Sequence, residues 1–381
     1  MKKVCIVVAS RANYGRIKAL MRSIQDDPEL ELQLIVGASA LLYRFGKVID
    51  VIINDGFTPT ATIYMVLEGE NLVTMAKSTG LAIQELATVF ENLRPDIVLT
   101  VADRYETMAT AIASSYMNIP LVHIQGGELS GSIDESVRHA ITKLAHGHMV
   151  TTERSRDFVI RLGEDPSKVF LTGCPSIDVI ANIDLSLGET FEKYGGVGDP
   201  TDPTKPYLVV LQHSVTTEFG KGFEQINQTL QAVASLSVQT IWLWPNVDAG
   251  SDDISKGLRM FREKNPQNNV HFYRNFSVED YARIINNCVC LIGNSSSAIR
   301  EGAFLGVPAV NIGSRQDRRE RGKNVLDVGY NSQEITQAIA KQIAHGKYPR
   351  ETLYGDGCAS KKIVEILKNT PFSIQKKLWY L

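Results

Sequence analysis

The 381-residue chain has only five cysteines, Cys5, Cys174, Cys288, Cys290 and Cys358, and no two of them form a CxxC pair. Cys5, Cys288 and Cys290 lie in apolar runs that read as buried strands, so reduced structural thiols are expected rather than a disulfide framework. No stretch approaches the roughly 18 to 20 apolar residues that a membrane helix needs. The opening run MKKVCIVVAS is too short for the apolar core of a signal peptide and passes into a polar turn, so a cytoplasmic location is expected. Forty basic side chains stand against 42 acidic ones, so no global field favours nucleic acid or an anionic membrane as a partner. The chain has no GxGxxG fingerprint, which disfavours a dinucleotide cofactor. His139, His146 and His148 match no metal-ligand spacing with a Cys or Glu motif, and neither metal nor cofactor is expected.

What is present is an ordinary globular composition, 44% hydrophobic and 22% charged, in a chain long enough for two cores. Short apolar, β-branched runs recur: Val4-Val8, Leu32-Val36, Ile97-Val101, Leu121-Ile124, His148-Thr151 and Val169-Leu171. Each ends in a polar or glycine turn, as parallel strands covered on both faces do. Helical segments at 15–26, 75–93 and 107–117 separate them. A Gly, Asp, Pro and Thr-rich loop spans 183–205, with a hinge expected near Pro175. A second set of strands then follows at 207–211, 240–244, 270–273, 289–292 and 309–312. The alternation predicts an α/β protein of two Rossmann-like domains facing across a cleft, 1–175 and 176–360, with a C-terminal helix and tail at 361–381. That tail could cap either domain.

In such sheets ligands sit beyond the carboxyl ends of the strands. After the first strand come Ser10, Arg11, Asn13 and Tyr14, a polar turn suited to an anion. After the strand 97–101 come Asp103, Arg104 and Glu106, a carboxylate beside a guanidinium. The next strand runs into His123-Ile-Gln125-Gly-Gly-Glu128. Ser132 and Glu135 fit a capping box for a helix carrying Asp134 and Arg138 on one face and Val137, Ile141 and Leu144 on another. In the second half Gln212-His213 and Trp244-Pro245-Asn246 end strands. Gly293-Asn294-Ser295-Ser296-Ser297 enters a helix containing Arg300 and Glu301, a diphosphate-type pattern of small side chains, hydroxyls and free helix N–H groups. The run Arg315 to Arg321 adds cations. Together these predict one interdomain site for a phosphorylated ligand.

SRANYG, ADR, HIQGGELSGSIDESVRHAITKLAH, GCPSID, QHSVTT, PNVDAGS, IGNSSSAIREGAFLGVP and GSRQDRRERGKNVLDV, in that order, resemble the hydrolysing UDP-N-acetylglucosamine 2-epimerases. The resemblance runs from the N-terminus to about Gly357. It implies a glycosyltransferase-B-like fold that holds UDP mainly in the C-terminal domain. It also implies conversion of UDP-N-acetylglucosamine, or a close UDP-2-acetamido sugar, to the free 2-epimer and UDP, by elimination of UDP and then hydration. On the same basis Arg11, Arg104, His213, Asn246, Ser295, Ser296, Glu301 and Arg315 match UDP contacts, and Phe276 a uracil contact. Asp103 and Asp134 match acid/base carboxylates, with His213 and Glu128 as further catalytic candidates. A homodimer or homotetramer is implied by analogy. Two positions depart from the family pattern. The usual RADY or RADF reads Arg11-Ala12-Asn13-Tyr14, and Gln125 stands where the family has a catalytic glutamate. An amide keeps the shape and the hydrogen bonding but cannot act as a base. Two other readings therefore stay open: a UDP-sugar-binding protein with impaired turnover, and a transferase of the same architecture.

Overall fold

The computed structural model describes every residue except 70, 246–248, 267, 268, 380 and 381, and only the backbone at Arg44. The chain folds as two units. The first comprises Met1–Glu128, Ile133–Asn182 and Tyr354–Leu381, and the second Leu129–Ser132 with Ile183–Leu353.

The apolar runs of the first unit form a seven-stranded sheet of β1 (Lys2–Val8), β2 (Leu30–Gly37), β3 (Ala61–Ile63), β4 (Ile97–Val101), β5 (Leu121–Ile124), β6 (Gly147–Val150) and β7 (Val169–Leu171). Its order is β3-β2-β1-β4-β5-β6-β7, and every pairing is parallel. Alternate residues of β1 feed two different cores. Val4, Ile6 and Val8 pack with Ile17, Leu20 and Ile24 of α1 (Arg11–Gln25), while Cys5 and Val7 pack with Leu86 and Phe90 of α3 (Leu72–Leu93). The period-two side-chain alternation of a strand thus fills both layers. Each fully buried aliphatic side chain contributes roughly 1.5–3 kcal/mol.

The chain leaves this unit after Asn182, not at Pro175. Pro175 instead opens a helix, α7 (Pro175–Ala181), in the first-turn position that a missing N–H suits. The last helix, α13 (Ala359–Asn369), belongs to the same unit and is capped from α7: the Asp178 carboxylate accepts from the backbone N–H of Ala359 at 3.0 Å and of Ser360 at 2.6 Å. The tail then runs along the same unit. Lys376 Nζ donates to the Glu164 carboxylate at 2.6 Å, and Phe372 packs on Gly147.

The second unit repeats the design. Its strands are β8 (Val197–Gly198), β9 (Tyr207–Leu211), β10 (Gln239–Leu243), β11 (Val270–Tyr273), β12 (Cys290–Gly293), β13 (Ala309–Ile312) and β14 (Val325–Val328), in the order β14-β13-β12-β9-β10-β11-β8. Among the described residues only β8, an edge strand, pairs antiparallel. The strands the sequence did not reveal, β3, β8 and β14, are short and lie at sheet edges, where one neighbour is missing and the apolar pattern is diluted. In both sheets the connection reverses direction beside the first strand, between β1 and β4 and between β9 and β12. These are the topological switch points at which open α/β sheets bind ligands. Among the described residues all five cysteines are free thiols, no helix is long and apolar enough to cross a membrane, and no group of His, Cys, Asp and Glu side chains could hold a metal.

Candidate active site

Beside the first switch point, β4 and its neighbour β5 end alike. The residue after each, Ala102 and Gln125, donates its backbone N–H to the next strand and then turns left-handed, with φ of 68° and 69°. Such a conformation costs a non-glycine residue roughly 1–3 kcal/mol and clusters at functional sites. His123 supports the first turn. It is wholly buried, Nε2 donates to the Ala102 carbonyl at 2.8 Å, and Nδ1 accepts from the Thr142 hydroxyl. Burial pulls its pKa down to about 3, so it is a neutral strut and not a proton carrier. Gly127 is required two residues beyond Gln125: its φ is 77°, and a Cβ would lie 2.2 Å from the Ser155 carbonyl oxygen.

The turn after β4 presents Asp103 and Arg104, and the structure separates them. Arg104 pairs with Glu106, Nε and Nη2 each 3.1 Å from a carboxylate oxygen, and both side chains are buried. Asp103 pairs with Arg138 on α5 (Ile133–Leu144), and Arg16 Nη1 lies 3.9 Å away on its other oxygen. Arg138 also donates to the Glu128 carbonyl, while the Glu128 carboxylate accepts from the Thr151 hydroxyl at 2.8 Å. Burial works against the charge on Arg138, but Asp103, Glu128 and Asp134 outweigh it and raise its pKa. One buried guanidinium therefore pairs with Asp103 and is favoured electrostatically by Glu128 and Asp134, the other two acid/base carboxylates that the sequence nominated. Arg138 itself was not among the nominated site residues. The signal available for it was its i, i+4 spacing from Asp134.

Gln125 is fully buried, its Nε2 donating to Cys174 Sγ at 3.0 Å and its Oε1 without a partner among the described residues. Ser10 caps α1, which begins at Arg11 rather than at Gly15, and its hydroxyl accepts from the Asn13 N–H at 3.2 Å. The Asn13 Nδ2 is buried with no partner among the described residues. Asn13 and Gln125, the two amides at which the sequence departs from the family pattern it resembles, thus each have one buried amide atom without a partner among the described residues.

At the second switch point Asn294 ties the two strand ends together. Its Oδ1 accepts from the His213 N–H at 2.7 Å and its Nδ2 donates to the His213 carbonyl at 2.8 Å. Gly293 makes the approach possible, since a Cβ there would lie 2.2 Å from the Leu211 carbonyl oxygen. Arg315 Nη1 and Gln316 Nε2 both donate to the Asn294 carbonyl, at 3.1 and 2.8 Å. Asn294 was visible in the sequence only as part of the Gly-Asn-Ser run. Beyond it the structure corrects one expectation. Ser295 caps a single 3-10 turn, Ser296–Ala298, and the α-helix that carries Glu301 is only α11 (Glu301–Leu305), with Arg300 as its N-cap residue. The turn offers hydroxyls and turn N–H groups, not the dipole of a long helix. The Ser295 and Ser297 hydroxyls lie 2.9 Å apart, and the latter meets Tyr281 at 2.7 Å. Glu301 Oε2 is buried without a partner among the described residues. Phe276 is buried between Tyr194 and Tyr273, ring centroids 4.8 and 4.7 Å away. Asn246 lies outside the described residues.

The family model for UDP-N-acetylglucosamine 2-epimerase matches residues 22–368. The chain belongs to that family. It is 33% identical over 376 residues, 98% of each chain, to the UDP-N,N'-diacetylbacillosamine 2-epimerase (hydrolyzing) of Legionella pneumophila. It is 27% identical over 372 residues, 97% of this chain and 96% of the other, to the UDP-N-acetylglucosamine 2-epimerase of Neisseria meningitidis. The crystal structure of UDP-GlcNAc 2-epimerase from Neisseria meningitidis, bound to UDP-GlcNAc, superposes with a TM-score of 0.78 at 19% identity, covering 97% of this chain and 100% of that one. The fold is glycosyltransferase-B-like, and this member of the 2-epimerase family is an enzyme acting in nucleotide-sugar chemistry.

Proposed function

We propose that the protein is a hydrolysing 2-epimerase that converts a UDP-2-acetamido sugar and water to the free 2-epimer and UDP. The observation that carries this reading is the buried Asp103–Arg138 pair at the carboxyl end of β4. It sets a carboxylate beside the switch point, with Glu128 and Asp134 acting electrostatically on the same guanidinium. Elimination breaks the C2–H bond, with the proton passing to a base, and breaks the C1–O bond, with the electron pair leaving on UDP. Hydration then adds hydroxide to C1 and a proton to C2 from the opposite face. Asp103 and Asp134 are the proton carriers in this scheme, with Glu128 and His213 as further candidates. Gln125 binds and does not titrate. Arg11, Arg104, His213, Ser295, Ser296 and Arg315 stabilise the charge that develops on the departing diphosphate. Phe276, Glu301 and Asn246 hold the nucleoside.

The relative that is 33% identical acts, by its name, on a UDP-linked diacetamido sugar. UDP-2,4-diacetamido-trideoxyhexose is therefore the first substrate to assay, beside UDP-N-acetylglucosamine. The test is incubation in D₂O, following free UDP and deuterium at C2. UDP release with a C2-deuterated, epimerised free sugar supports the proposal. UDP release only in the presence of an acceptor makes the protein a transferase. Gln125 favours a second reading, a UDP-sugar-binding protein with little turnover, because an amide has replaced the family carboxylate. Binding without UDP release, with turnover restored by Gln125→Glu, would establish it. The homodimer or homotetramer that the resemblance implies is checked by light scattering on the purified chain.

A further inference from the structure

The amide of Gln125 is satisfied on one side only. Nε2 donates to Cys174 Sγ at 3.0 Å, and that sulfur lies 3.1 Å from the Ser176 hydroxyl oxygen. Cys174 and Ser176 are themselves buried. An amide N–H can only donate, so the sulfur accepts from Gln125, while in the contact with Ser176 either the thiol or the hydroxyl can be the donor. A glutamate at 125 would reverse the chain: having no hydrogen to give, its carboxylate would draw the thiol hydrogen to itself. The residue at 125 thus dictates which way Cys174 is used, and Cys174 dictates which end of the amide is held.

The held end is the donor. The other, Oε1, has no partner among the described residues in a side chain with no exposed surface. Buried acceptors are almost always satisfied, and this exception lies at a strand end, where open α/β sheets meet their ligands. The backbone of Gln125 is held in its left-handed turn by the bond from its own N–H to the Met149 carbonyl, at 2.9 Å, so the side chain starts from a fixed root.

We infer that Cys174 is a positioning residue: by accepting the amide hydrogen of Gln125 it leaves Oε1 as a hydrogen-bond acceptor for an N–H or O–H of the bound 2-acetamido sugar. This rests on the proposed function, and it makes residue 125 a sugar-binding group where a glutamate would carry a proton. The test is the steady-state rate of UDP release from the UDP-2-acetamido sugar that the wild-type protein turns over. Cys174→Ala should raise KM about 3- to 10-fold, the loss of one neutral hydrogen bond, while kcat stays within about twofold. Cys174→Ser keeps an acceptor at the position and should recover most of that loss. Gln125→Leu should raise KM by a similar factor, and adding Cys174→Ala to it should change KM no further, because the cysteine acts through the amide. Unfolding curves on each variant separate these effects from loss of fold. The inference is overturned if Cys174→Ala shifts only the melting temperature, or if the two substitutions act independently on KM. If the wild-type protein releases no UDP from any UDP-2-acetamido sugar, the functional reading fails. The same cycle is then measured on the affinity for the intact UDP-sugar, where additivity would still sink the positioning role.

Discussion

Asp103 and Arg138 form an ion pair in which both side chains are buried, joining the turn after β4 to the second turn of α5. Removing one partner strands the other without water. Asp103→Asn should lower kcat by about 10²- to 10⁴-fold, as loss of a general acid or base does. Arg138→Met should cost about 3–5 kcal/mol of stability by leaving Asp103 and its neighbours uncompensated. Rapid-quench assays of UDP release and urea unfolding measure the two effects. If Asp103→Asn turns over at the wild-type rate, the carboxylate is structural.

Gln125→Glu should add a titration that the wild-type protein lacks. A carboxyl at this wholly buried position has its pKa pushed above the ordinary value of about 4.3 by desolvation. The pH profile of kcat/KM should therefore gain an acidic limb in the variant. A profile identical to the wild type would mean that residue 125 does not contact the reacting sugar.

Asn294→Ala removes the two side-chain hydrogen bonds by which Asn294 holds the backbone of His213. It leaves the backbone N–H and carbonyl of His213 without those partners, for an expected loss of about 1–3 kcal/mol. UDP affinity should fall with it, since Ser295 and Arg315 both meet this turn. Calorimetry with UDP checks this, and an unchanged Kd would remove the turn from the nucleotide site.

His123 makes the fold sensitive to acid. Its pKa is about 3 in the folded protein against an ordinary 6.5, lowered by burial, so between those values the unfolded chain binds the extra proton. Stability therefore rises with pH across that window and is lost as pH falls below 6.5, at up to about 1.4 kcal/mol per pH unit. His123→Gln, which cannot titrate, should flatten that slope when stability is measured by denaturant at pH 4 and 7. An unaltered slope would assign the acid sensitivity to other groups.

Glu164 adds a second acid limb lower down. Burial opposes its charge, but His148, Lys143 and Lys376 prevail and hold its pKa at about 2. A depressed carboxylate contributes stability that is present above its unfolded value of 4.5 and is lost as pH falls toward 2. Glu164→Gln should remove that dependence. It should also loosen the tail around Lys376, read as faster hydrogen exchange over residues 370–379. Protection unchanged in the variant would show that Phe372 and its apolar neighbours hold the tail without the charge.

The central strands were legible because burial on both faces leaves continuous apolar runs that need no tertiary information. The recurring βα alternation then implied two Rossmann-like sheets and, through them, which turns could hold a ligand. The strand-end motifs were legible for the same reason, and with them Asp103, Gln125, His213 and Ser295. The partner of each was not. Asp103 precedes Arg104 in the chain but pairs with Arg138, because α5 packs against α4 and β5 and brings a second guanidinium to a turn where Arg104 is already held by Glu106. Residue 178 caps a helix that begins at 359, and Cys174 meets Gln125, through approaches that local propensity does not encode. Spacing along one chain reports periodicity and turn chemistry. Which buried donor finds which acceptor depends on how the layers pack, and the tertiary structure alone decided that.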